Sequence, residues 1–147
     1  MILIDANLLL YAKVKDYPRH QQARHWLEDQ LNSGSQVGLP WPTLLAFIRI
    51  GTNPKAFDRP LSIRDAWSQV SEWLALPTVW IPLPTDRHAA ILGDLLQDAD
   101  AVANLVPDAH LAALAIEHGL TLQSTDGDFA RFPQLQWQNP LYKKIQH

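Results

Sequence analysis

The sequence predicts an α/β domain on a mainly parallel sheet. Short apolar runs alternate with longer segments of helical period along the chain, the pattern of strand–helix–strand units. Two of those runs, Ile2-Leu3-Ile4 and Leu120–Ser124, lead straight into acids, at Asp5 and at Asp126 with Asp128. The eleven prolines sit mostly at element boundaries, and none falls squarely inside an expected helix.

Residues 1–5 read as a buried strand because they are continuous, apolar and Ile-rich. Asp16-Tyr17-Pro18 opens a helix to about Leu31, with Ala23, Trp26, Leu27 and Leu31 at helical spacing and Asn32-Ser33-Gly34 as the stop. Gln36–Leu39 is a short second strand. Pro42-Thr43 begins an apolar helix that Gly51-Thr52-Asn53-Pro54 ends. Ser62 and Asp65 have capping-box spacing before Ile63, Ala66, Trp67, Val70 and Leu74. Thr78–Pro82 is a third strand, and Thr85-Asp86 caps a helix through about Leu96. Pro107 suits the first position of a helix over 107–118, which Gly119 terminates. Strand 120–124 then enters the Thr125-Asp126-Gly127-Asp128 turn.

At 147 residues the chain fits one domain, 1–147, with no repeat, low-complexity tract or linker. Its 47% hydrophobic content is that of a globular protein, and with no Cys it has neither disulfides nor thiolate metal sites. Asp5 interrupts the N-terminal apolar run, no basic segment precedes it, and no stretch approaches the roughly 18 apolar residues of a membrane span. A cytoplasmic protein is expected. The net charge of −3 does not mark a nucleic-acid binder by itself, although the acids concentrate in the second half.

Acids at strand ends line one rim of a parallel sheet, where open α/β folds keep their sites. Asp108, at the start of a helix, adds a third position. Carboxylates converging without Cys or His suit a hard divalent cation, Mg²⁺ or Mn²⁺. Such an ion lowers the pKa of bound water and acts as a Lewis acid, which is what phosphodiester hydrolysis requires. Taken singly, Asp5 is either a ligand or a cap of the next turn, Asp108 a ligand or a first-turn acid, and Asp126 with Asp128 ligands or a turn pair. Asn7 alternates to the side of Asp5 in an extended chain, where it either orients a water or holds the turn. None of the six histidines has zinc-site spacing, so they are expected to be structural or on the surface, with His110 pointing away from Asp108. Trp26, Trp67 and Trp80 are expected to pack in the core. No phosphate loop, nucleophile elbow or dinucleotide fingerprint is present.

The Ile-Asp-Ala-Asn start, the run Asn104 to Gly119 around Pro107-Asp108-Ala109-His110, and Ser124-Thr125-Asp126-Gly127-Asp128-Phe129 together resemble a PIN domain of the VapC toxin type. Leu39-Pro40-Trp41 through Arg49 and Thr52-Asn53-Pro54 resemble one branch of those toxins. The resemblance implies a three-layer α/β/α domain that cleaves RNA with Mg²⁺ or Mn²⁺. It further implies a toxin role, inhibition by a small VapB-type antitoxin, and homodimerisation. By position it makes Asp5, Asp108 and Asp126 metal ligands, Asp128 a supporting acid, and Asn7 and Thr125 polar helpers. One departure stands out: the further acid usual on the helix after the second strand falls at Ala46, and no acid lies between Leu31 and Asp58. Arg49, one turn on, either faces a phosphate or pairs with an acid.

Two functions from different classes follow. One is a metal-dependent endoribonuclease toxin; the other is a catalytically impaired PIN-like module that binds RNA or protein. A phosphohydrolase of small phosphoesters fits less well, because the first strand lacks a D-x-D arrangement. Lys13, Lys15, Arg19 and Arg24 are loose candidates for RNA contact.

Overall fold

A computed structural model describes residues 1–142. Its five strands are β1 (Ile2–Ile4), β2 (Val37–Gly38), β3 (Val79–Trp80), β4 (Thr121–Gln123) and β5 (Trp137–Gln138). They form one sheet in the order β3-β2-β1-β4-β5, and every pair is parallel. Six helices connect them: α1 (Ala6–Lys13), α2 (His20–Asn32), α3 (Trp41–Gly51), α4 (Ile63–Leu74), α5 (His88–Asp98) and α6 (Leu105–His118).

Neighbouring residues of β1 face opposite sides of the sheet, as strand geometry requires. Ile4 packs with Leu8, Leu9, Leu44, Phe47, Val70 and Trp73 from α1, α3 and α4. Leu3 packs with Leu95, Leu111, Leu114 and Phe129 from α5, α6 and the turn beyond β4. Helices therefore cover both faces, giving three layers. The chain moves outward from β1 through β2 to β3, then crosses to the other side for β4. The strand order thus reverses between β1 and β4, and at such a switch point a crevice opens beyond the C-terminal strand ends.

Several expectations need correction. The chain does not stay extended after Asp5, because its side chain caps α1. Asn7 consequently lies in a helix rather than alternating along a strand. α2 does not open at Asp16-Tyr17-Pro18: it starts at His20 after an uncapped Arg19. α6 starts at Leu105, so Pro107 is its third residue, a position whose missing N–H still costs no helical bond. Trp67 is half exposed; the α4 tryptophan in the core is Trp73, edge-on to Phe47 with ring centroids 4.9 Å apart. β5 was not anticipated. Half of the capping box of α4 forms: Ser62 Oγ accepts from Asp65 N at 3.0 Å, while the Asp65 side chain makes no return bond to Ser62 N. Gly119 also stops α6 as expected, at φ +66°.

Candidate metal centre

The switch point brings β1 and β4 side by side. Ile4 pairs with Gln123, and Asp5 N donates to Gln123 O at 3.0 Å, so Asp5 and Ser124 emerge as neighbours. Asp5 Oδ1 accepts from Ala6 N at 2.8 Å, which makes the residue a helix cap as well as a candidate ligand. On its other side, Thr43 at the start of α3 donates to Ile4 O at 3.0 Å.

Ser124 is fully buried and uses all of its hydroxyl capacity. It donates to Asp5 Oδ2 at 2.8 Å and accepts from Asn7 Nδ2 at 3.2 Å and Asp126 N at 3.0 Å. The chain then turns sharply, and Asp126 Oδ1 accepts from Asp128 N at 2.9 Å. Asp108 comes to the same place from the first turn of α6. Carboxylate oxygens of Asp108, Asp126 and Asp128 lie within 4.8 Å of one another.

Crowded acids resist ionisation. Burial first, and then the charges of Asp126, Asp5 and Asp128, push the Asp108 carboxyl up to about 6. Burial also raises Asp5, with a small push from Asp126, against the Ser124 and Ala6 hydrogen bonds that favour its charge. Among the described residues, no Lys or Arg forms an ion pair with any of the four acids. Asn7 Oδ1 is buried without a hydrogen-bond partner. All-oxygen donors, uncompensated negative charge and an orphaned acceptor fit a hard divalent cation.

The structure groups the carboxylates of Asp108, Asp126 and Asp128; Asp5 lies outside that group and, with Asn7, is joined to the Asp126 turn through Ser124. Thr125 is half-buried beside Asp126, but its hydroxyl makes no hydrogen bond among the described residues; Ser124 is the residue that sequence reasoning missed. A small polar residue two positions before a turn acid, at the end of an apolar strand, was its only signal. Ala46 follows Thr43 by one turn on the same side of α3 and presents no donor. Arg49, a further turn along, is exposed and unpaired among the described residues. Lys13 and Lys15 lie at the far end of α1, about 12 Å of helix from Asp5. Arg19 bonds Leu141 O at 2.8 Å and Arg24 pairs with Glu28 at 3.1 Å.

The histidines are structural where α5 meets α6. The side chain of Glu117 is fully buried and accepts from Thr85 N at 2.8 Å, Thr85 Oγ1 at 2.7 Å and His88 Nδ1. His88 Nε2 continues to His110 Nδ1 at 3.2 Å.

The PIN domain family model matches residues 2–135. The chain is 44% identical over 140 residues to Ribonuclease VapC37 of Mycobacterium tuberculosis, covering 95% of this chain and 97% of that one. It is 40% identical over 141 residues to Ribonuclease VapC33 of the same species, covering 96% and 99%. Among solved structures, VapBC2 from Rickettsia felis bound to a promoter DNA fragment superposes with a TM-score of 0.69 at 19% identity, covering 95% and 98%. At that identity the likeness speaks for the fold.

Proposed function

This chain belongs to the PIN-domain family, and from that premise we propose that it is a metal-dependent endoribonuclease, the toxin of a type II toxin–antitoxin pair. The carrying observation is the cluster of Asp108, Asp126 and Asp128 at the switch point, with Asp5 tied to it through Ser124, in a chain whose relatives at 40–44% identity are named ribonucleases. The reading includes Mg²⁺, with Mn²⁺ as a substitute, an RNA substrate, a VapB-type antitoxin, a homodimer and a cytoplasmic location. In keeping with that location, no helix among the described residues is long and apolar enough to cross a membrane.

Asp5, Asp108 and Asp126 would hold the ion, with Asp128 as supporting acid. When bound, the ion supplies an activated water and offsets the charge growing on the phosphoryl oxygens. The protein supplies the positions. Ser124 fixes the Asp5 carboxylate through Oδ2, while the α1 cap fixes it through Oδ1. The Asn7 amide is anchored through Nδ2 on Ser124, which leaves Oδ1 to accept from a water near the phosphate. Thr125, half-buried beside Asp126, would offer its hydroxyl as a polar helper. A bound cation would favour the ionised form of Asp108 by offsetting the charges of its neighbours.

A second reading, a PIN-like module that binds without cutting, draws on the apolar Ala46. Toxicity separates the two. Induced expression in a bacterial host is expected to arrest growth, and Asp5→Ala to relieve the arrest while the protein accumulates folded. Equal arrest by both proteins would count against a nuclease toxin.

A further inference from the structure

Ser124 is held by its backbone as well as its hydroxyl. In the parallel ladder between β4 and β5, Leu122 N donates to Gln136 O at 2.8 Å and Ser124 N donates to Gln138 O at 3.1 Å. The same register makes residue 140 the next donor, to the Ser124 carbonyl. Residue 140 is Pro140, which has no N–H. The Trp137 indole takes its place: Nε1–H donates to Ser124 O at 3.0 Å. This side-chain bond closes the ladder where the chain leaves the sheet for Asp126.

We propose that Trp137 is a positioning residue for the metal centre, acting through the Ser124 carbonyl. The inference rests on the metal-nuclease reading of the site. Rotation of the Ser124 peptide would move its hydroxyl off Asp5 Oδ2 and carry the Asp126 turn with it, so one indole N–H sets the spacing of acids from two strands. The β5 strand, only two residues long, thereby gains a role beyond edge pairing: it ties the β4 exit to the site.

Trp137→Phe keeps an aromatic ring against the Leu122 side of the core and removes the N–H. Calorimetric titration of the metal-free full chain with Mn²⁺ is expected to show binding weakened by about tenfold, the lower end for groups outside the ligand shell. Trp67→Phe, half exposed on α4, is expected to bind like the wild type. A packing role alone would lower the melting temperature in EDTA and leave Mn²⁺ affinity unchanged. Equal affinity in wild type and Trp137→Phe would overturn the inference and leave the metal centre standing, whereas no Mn²⁺ binding by the wild type would overturn both. A second measurement needs no variant: in the ¹⁵N-labelled wild type, the Trp137 indole signal is expected to shift with Mg²⁺ at the half-saturation of binding. An indole signal unmoved at saturation would overturn the inference.

Discussion

Ser124 Oγ stands 2.8 Å from Asp5 Oδ2 and joins two strand ends 119 residues apart. The bond ties Asp5 to the Asp126 turn, because the same hydroxyl also receives the Asn7 amide and the Asp126 N–H. Ser124→Ala is expected to weaken Mg²⁺ or Mn²⁺ binding by about 10–100-fold, as loss of outer-shell support does elsewhere. The buried donors left unpaired would destabilise the fold by about 1–3 kcal/mol. Metal titration and urea denaturation read the two effects separately.

The pH dependence of stability carries the signature of Asp108. Its carboxyl is raised from 3.8 to about 6, so the metal-free native state holds a proton there that the unfolded chain releases. The associated stability is complete below the unfolded value and is lost as pH rises through about 6. His110, held below its ordinary value by burial and by His88, contributes the opposite slope. The comparison of wild type with Asp108→Asn isolates the acid. The variant's stability advantage in EDTA is expected to be small near pH 4 and to grow through pH 6; an advantage independent of pH would contradict the assignment.

A divalent cation acts on the same repulsion. Mg²⁺ in excess is expected to raise the melting temperature of the wild type at neutral pH by mass action. EDTA should reverse the shift, and Asp108→Asn should show little of it. Differential scanning calorimetry of the two proteins provides the check.

Glu117 has a different task. Burial opposes its charge, yet hydrogen bonds from His88 and Thr85 outweigh that and hold its carboxyl below the usual range. Its stabilisation is therefore full above the ordinary Glu pKa and lost as pH falls through the lower folded value. Glu117→Ala leaves His88 Nδ1 and the Thr85 N–H and hydroxyl without their buried acceptor, and is expected to cost about 3–5 kcal/mol in urea denaturation.

The acids were legible because each ends or begins an element with a strong local signal: apolar runs before Asp5 and Asp126, and Pro107 before Asp108. Helix α1 was not, since Ala6, Leu8, Leu9, Leu10 and Ala12 are all buried, and apolar positions on every side of so short a helix show no helical stripe. Strand β5 is too short for any pattern, and it exists because β4 offers an edge. The role of Ser124 depends on the β1–β4 pairing and that of Trp137 on the β4–β5 register, and neither pairing is written in the local sequence. The His88–Glu117 contact likewise needs α5 docked against α6.

The most direct test is incubation of total cellular RNA with the purified protein in Mg²⁺, in Mn²⁺ and in EDTA, alongside Asp108→Asn. Discrete fragments with either metal, absent in EDTA and with the folded variant, are the predicted result. Fragments that persist in EDTA or with Asp108→Asn would contradict a metal-dependent nuclease centred on these acids.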